Sequence, residues 1–337
     1  MKNITIKDIA KELNISIATV SRAISGDKNI RQETKKLVLE AVDKYGYKRN
    51  PVAINLKSGR TNTIGVIVPE MKTPFFSSII EGIQNVMYPR GVKVIIAQSD
   101  ENTEREKENL LLMESFMVDG IIIGICHKDK NKNEFKRLIK KGLPLVFYDR
   151  IPNDIDVSKV IIDDYAKSFF LVEYLIRKGF KKIAHIVAPE YMQSSNIRFK
   201  GYRDALAKFK MPYDEQLVVK SLGMSFEDGV IATEQLIRKG IRVEAIFACT
   251  DTIAIGAMNY LQDNNIRVPD DIAVAGFSGT VLSKVVRPAL TTVEQPLLKM
   301  GEMCADVLLE KINDSSIENR TVILDATIEY RASTEKR

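Results

Sequence analysis

Residues 5–26 read TIKDIAKELNISIATVSRAISG, a stretch that encodes two short helices joined by a tight turn. Thr5 can cap the first helix, in which Ile6, Ile9, Ala10 and Leu13 recur at helical spacing and Asp8 lies near the positive end of the dipole. Asn14-Ile15 makes the turn. Ser16 then caps a second helix whose Val20, Ala23 and Ile24 face inward, and Ser25-Gly26-Asp27 stops it. A third helix is expected over about residues 31–45, with Leu37, Val38, Ala41 and Val42 as its buried stripe. With small Ala10 where the first two helices cross, this is a helix-turn-helix unit. Ile17, Ala18, Ser21 and Arg22 point outward from the second helix, as base-edge contacts in a major groove require. Arg22 suits a bidentate contact to guanine, and Ile17 and Ala18 offer only apolar contacts such as thymine methyl groups. Thr5, Ser16, Thr19 and Asn29 complete the candidate DNA-contacting set.

The charge of the chain agrees with that assignment. Residues 1–60 hold 13 Lys+Arg against 6 Asp+Glu, and the remaining 277 residues hold 37 against 38. All the excess positive charge therefore sits at one end, which is the electrostatic pattern of a nucleic-acid-binding head on a neutral body. A solvated basic tail is disfavoured because the segment has a good apolar pattern, and a protein-binding three-helix bundle would not explain the charge.

Length allows two or three domains. No apolar run is long enough to span a membrane, and the opening MKNITIKDIAKEL has charges where a signal peptide needs an apolar stretch, so a cytoplasmic protein is expected. Cys126, Cys249 and Cys304 lie far apart with no CxxC pair and only two histidines in the chain, which supports neither disulfides nor a metal site.

Read against known families, residues 5–26 fit T-x-x-D-[VI]-A-x-x-x-x-[VI]-S-x-x-T-V-S-R-x-[LI]-[NS]-G, and the chain resembles the LacI/GalR (lac repressor-like) regulators. The likeness continues through TPFFSSIIEGI, VDGIII, FYDR, RFKGYRDAL, CTDTIAIGAMNYL, RVPDDIAVAGF and RPALTTVEQPLLKMG. It implies a helix-turn-helix domain at 1–49, a hinge at 50–60 and an effector-binding and dimerisation body at 61–337. Asn50 and Pro51 open the hinge segment as a cap and a first helical residue. So short a helix is marginal alone. By the resemblance, Asn50, Ala53 and Leu56 form a hinge helix that orders on DNA, with Leu56 as a minor-groove wedge.

In the body, apolar strands alternate with helical stretches, the pattern of parallel sheets with helices on both faces. The expected fold is an all-α head plus an α/β body of two doubly wound lobes of the periplasmic-binding-protein type. The resemblance implies crossings between lobes near residues 162, 290 and 320. The first lobe would then be about 61–161 with 291–320, and the second about 162–290 with 321–337.

Ligands of open α/β sheets bind beyond the carboxyl ends of strands. The candidate effector residues are Phe75 and Phe76, Asp149, Arg198 in R-x-x-G-Y, Thr250, Asp251 and Ser278. Phe75 and Phe76 could equally be core, Asp149 could simply pair with Arg150 or a backbone amide, and Asp251 could be a helix cap. Thr250 and Ser278 stand where many similar regulators carry Asn and Asp, which weakens the inference to a neutral monosaccharide and leaves room for an acidic or phosphorylated sugar.

The chain lacks a GxxxxGK[ST] loop, a GxGxxG after a strand and a GxSxG elbow, so neither an enzyme nor a cofactor is expected. His185 sits in an apolar strand pattern and reads as core. A transport-type sugar-binding protein would explain the body but not the basic head. The expected partners are operator DNA with two-fold pseudo-symmetry, a small carbohydrate-type effector and a second copy of the chain. No heptad-patterned tail follows the last strand, so a dimer is expected. Repression is the commonest outcome in similar regulators.

Overall fold

The computed structural model describes residues 4–47 and 60–335, which form two compact units divided near Thr61. The hinge expectation at Asn50, Ala53 and Leu56 lies outside the described residues.

The first unit holds α1 (Ile6–Glu12), α2 (Ile17–Ile24) and α3 (Gln32–Tyr45). Thr5 donates from both its N–H and its hydroxyl to Asp8 Oδ2, at 2.8 and 2.7 Å, which fixes the start of α1. Asn14 adopts φ 50°, and the Ile15 N–H returns to the Ala10 carbonyl at 3.1 Å. That left-handed step turns the chain into α2. Ile9, Ala10, Val20, Ala23, Val38 and Ala41 form the core, flanked by half-buried Leu13, Ile24, Val42 and Tyr45. Leu37 departs from the expected stripe: it is 56% exposed. With Val38 fixed inward, the 3.6-residue period carries 41, 42 and 45 to the core and turns 37 toward water.

The second unit begins β1 (Thr63–Val68), α4 (Pro74–Met87), β2 (Lys93–Gln98), α5 (Thr103–Ser115), β3 (Ile121–Ile123), α6 (Lys132–Lys140), β4 (Leu145–Tyr148) and β5 (Ser158–Ile162). It continues α7 (Asp164–Arg177), β6 (Ile183–Val187), α8 (Gln193–Lys208), β7 (Val218–Lys220), α9 (Phe226–Arg238), β8 (Ala245–Ala248), α10 (Asp251–Asp263), β9 (Ala273–Ser278) and α11 (Leu282–Val285). It ends β10 (Thr291–Glu294), α12 (Leu297–Asn313), β11 (Thr321–Leu324) and β12 (Thr327–Glu329).

Two six-stranded sheets result, ordered β11-β5-β4-β3-β1-β2 and β12-β10-β9-β8-β6-β7. Every pairing is parallel except that of β12 with β10. In each lobe the first strand lies between the second and the third, so each sheet has one point where the strand order reverses. Such a point opens a crevice at the strands' carboxyl ends.

Two expected crossings move. β10 pairs with β9 in the second sheet, so the chain returns to the first lobe at residues 295–296 rather than 290. There α12 lies against α4 so closely that a Cβ on Gly82 would meet the Leu298 carbonyl oxygen at 2.1 Å. β11 pairs with β5 in the first sheet, so the last crossing falls at 325–326 rather than 320. The uninterrupted β-forming run 321–330 hides that crossing. Asp325 and Ala326 split it into strands belonging to different lobes.

Candidate nucleic-acid helix and interlobe cleft

On α2, the Ser16 hydroxyl accepts the Thr19 N–H at 3.0 Å and lies 2.8 Å from the Thr19 hydroxyl. This satisfies the helix start and occupies both side chains. Ile17 (45%), Ala18 and Arg22 are exposed, and Ser21 is half-buried. Arg22 has no ion pair among the described residues, so its guanidinium remains available. Asn29 is exposed in the turn before α3, its N–H donating to Asp27 Oδ1 at 3.0 Å. Thr5 is exposed but directed to Asp8. The outward face of α2 is thus small, apolar and tipped by one cation, a shape that fits a groove floor.

In the body, Phe75, Phe76, Asp149, Arg198, Thr250 and Ser278 all line one cleft of about 480 Å³ between the lobes. Asp149, Thr250 and Ser278 reach it from strand carboxyl ends, Phe75 and Phe76 from the start of α4, and Arg198 from α8. Phe75 and Phe76 pack edge to face at 5.0 Å in the first turn of α4 and are both buried, so they form wall and core together. Asp149 follows β4 at φ 56°, its side chain only 7% exposed. Thr250 caps α10, and Ser278 ends β9 at φ 141°.

Arg198 is 4% exposed and held on three sides. Its Nε donates to Asp164 Oδ1 at 2.7 Å, its Nη1 to the Cys249 carbonyl at 2.7 Å, and its plane lies 3.8 Å over the Phe277 ring centroid. Burial pushes the Asp164 carboxyl upward, against the opposing pull of this guanidinium. Such a pair fixes an arginine fork at the cost of desolvating both charges.

Asp251 is not in the cleft. It is 1% exposed, and its carboxylate accepts the Thr280 N–H at 3.0 Å and the Thr292 hydroxyl at 2.5 Å. It ties α10 to the loop after β9 and to β10, holding cleft-lining Thr280 in place. Burial pushes its carboxyl up to about 6.

Sequence reasoning missed Arg150, which is 4% exposed and donates from Nη1 to both Glu101 oxygens at 2.9 and 2.8 Å. Asp149 lies 3.8 Å from its Nε, so the expected Asp149–Arg150 pairing is secondary. The signal was present in FYDR, one residue past the aspartate. Tyr191 and Met192, before α8, were also missed; no motif marks them. His185 is core as expected: fully buried, 2.7 Å from the Phe247 carbonyl and pushed down to about 4 by burial.

A helix-turn-helix head joined to a two-lobed α/β body with a cleft at its strand ends defines a DNA-binding regulator of the ligand-responsive type. Known proteins agree. The model of bacterial regulatory proteins of the lacI family matches residues 5–50, and that of a periplasmic binding protein-like domain matches 172–334. The chain is 33% identical over 334 residues to catabolite control protein A of Priestia megaterium, covering 99% of this chain and 100% of that one. The solved complex of the transcriptional regulator CelR with cellobiose superposes with a TM-score of 0.73 at 28% identity, over 98% of this chain and 99% of its own. The lac repressor dimer bound to operator and the anti-inducer ONPF superposes at 0.87 over 99% of both chains, a likeness of fold at 23% identity. The chain belongs to the LacI family and is a DNA-binding transcriptional regulator.

Proposed function

We propose that the protein is a dimeric, cytoplasmic repressor whose grip on a pseudo-palindromic operator is set by an uncharged, polyhydroxylated effector held in the interlobe cleft. The observation that carries this is the charge balance of the cleft. Glu70, Asp100, Glu101, Asp149, Glu227 and Asp228 line it against Lys72, Arg150 and Arg198, and both arginines already have carboxylate partners. A phosphate or sugar acid would enter a net-negative, partly desolvated site, where like charges repel strongly. A neutral sugar meets aromatic walls at Phe75 and Phe76 and a largely shielded acceptor at Asp149. The room that Thr250 and Ser278 leave for an anionic ligand is thus offset by the carboxylates around them. The second copy follows from the need to read two half-sites with one short helix each.

Thermal-shift screening of the full chain against neutral sugars, sugar acids and sugar phosphates tests the effector class. Calorimetry on Asp149→Asn then tests the site, with binding expected to weaken by about tenfold or more. A sugar phosphate as the sole stabilising ligand, or undiminished binding by the variant, would reject the reading. Gel shifts with selected duplexes test the DNA arm, with affinity expected to fall steeply as salt rises.

A further inference from the structure

At the mouth of the cleft the two lobes meet through side chains that the effector reading leaves unused. His127, in the loop after β3, stacks on Tyr191, in the loop before α8, with ring centroids 5.5 Å apart and planes only 10° from parallel. Beside them the Gln193 amide nitrogen lies 3.4 Å from the Asn153 side-chain oxygen, again from one lobe to the other. The first-lobe partners are braced within their own lobe, and Tyr191 packs on the edge of the second-lobe core. The His127 Nδ1 accepts the Asp129 N–H at 3.1 Å, which sets the ring orientation and the neutral tautomer. Asp129 in turn accepts from the Asn153 amide at 3.0 Å, so both first-lobe contacts belong to one braced loop pair. Tyr191 is half-buried and lines the cleft itself.

The position gives this stack leverage. The chain crosses between lobes beside β5 and β11 in one sheet and β10 and β12 in the other. β3 lies two strands from β5 and β6 three strands from β10, roughly 10–15 Å at the usual strand spacing. A contact that far from the pivots resists opening more effectively than the same contact beside them.

We propose that His127 and Tyr191 form an aromatic clamp that holds the lobes together across the cleft mouth, making His127 a positioning residue for the effector site. Tyr191 belongs to both the clamp and the cleft lining, so an occupant that displaces or buttresses its ring changes the clamp directly. Lobe closure and cleft occupancy are thereby coupled through one side chain. The step from clamp to DNA affinity rests on the proposed regulatory reading.

The chain contains only two histidines, so side-chain NMR of the full-length protein resolves the clamp residue against a buried internal reference, His185. Its signals are assigned with His127→Gln. The His127 ring protons are expected to be shifted upfield by the stacked tyrosine, to stay so in Tyr191→Phe and to lose the shift in Tyr191→Leu, with His185 unchanged. Identical His127 shifts in the wild type and Tyr191→Leu would overturn the clamp. In gel shifts on a duplex selected by the wild type, Tyr191→Leu and His127→Leu are each expected to change affinity in the same direction by about two- to tenfold, the range of one aromatic pair. The double variant should match either single one. Additive effects, or none, would overturn the positioning role. If the wild type selected no duplex, the regulatory reading would fail while the NMR result still decided the clamp.

Discussion

The head and the cleft hold their functional residues in opposite ways. On α2, Ile17, Ala18 and Arg22 project into water, and the core beneath them is made of other residues. In the cleft, Arg198 and Arg150 are 4% exposed and are bound into the protein before any ligand arrives. A DNA reader must present free donors to a partner that supplies its own shape. A small-molecule site must hold its donors in place, which embeds them in the fold. Substitutions in the head should therefore separate function from stability, and substitutions in the cleft should not.

The largest effect is expected at Arg198. Alanine there leaves Asp164 buried without its cation and exposes the Cys249 carbonyl to an empty space. Removing one partner of a buried pair costs about 3–5 kcal/mol. Chemical denaturation of Arg198→Ala checks this, and a loss below about 1 kcal/mol would mean that the cleft arginine is as dispensable to folding as a surface residue.

Asp251 gives a smaller, pH-dependent effect. Folded, its carboxyl keeps its proton up to about 6, whereas the unfolded chain releases it near 3.8. The raised value means that its contribution is fully present below 3.8 and is lost as pH rises through 6. The shift corresponds to about 2–3 kcal/mol. The wild type should lose that much relative to Asp251→Asn between pH 3.5 and 7.5. A stability difference that is flat with pH would show that the buried carboxylate is not the titrating group.

This contrast also explains what the sequence could and could not reveal. The head was legible because its rules are local: caps at Thr5 and Ser16, a turn at Asn14 and an apolar period each act within a few residues. Six of seven expected cleft residues lie in the cleft; Asp149, Thr250 and Ser278 mark strand ends, Phe75 and Phe76 a helix start, and Arg198 a short helix motif, all local features. Asp251 failed as a cleft residue because whether an aspartate at a helix start faces a ligand or a neighbouring loop depends on Thr280 and Thr292, 29 and 41 residues away. Tyr191 and the crossings at 295–296 and 325–326 were hidden for the same reason. β10 and β11 read alike as strands, and only pairing assigns each to its sheet.

In the head, Arg22→Ala should leave the melting transition within about 0.5 kcal/mol of the wild type, because the side chain is exposed and makes no ion pair among the described residues. Its discrimination between the selected operator and a guanine-substituted one should fall by about 1–3 kcal/mol, the worth of one bidentate base contact. Competition gel shifts measure this. Weakening that is equal on all duplexes would make Arg22 a phosphate ligand instead of a base reader.

The smallest expected effect is at Leu37, and it tests the fold of the head most finely. Periodicity alone allowed Leu37 and Val38 to share the buried stripe, yet Val38 is fully buried and Leu37 is 56% exposed. Val38→Ala removes methyl groups from a core of six buried apolar residues, which is expected to cost about 2 kcal/mol. Leu37→Ala should change stability by less than about 0.5 kcal/mol despite deleting the larger side chain. Denaturation of the two variants side by side reads the rotation of α3 directly. If Leu37→Ala were the more costly, α3 would be turned by one residue and the frame that aims α2 outward would have to be redrawn with it.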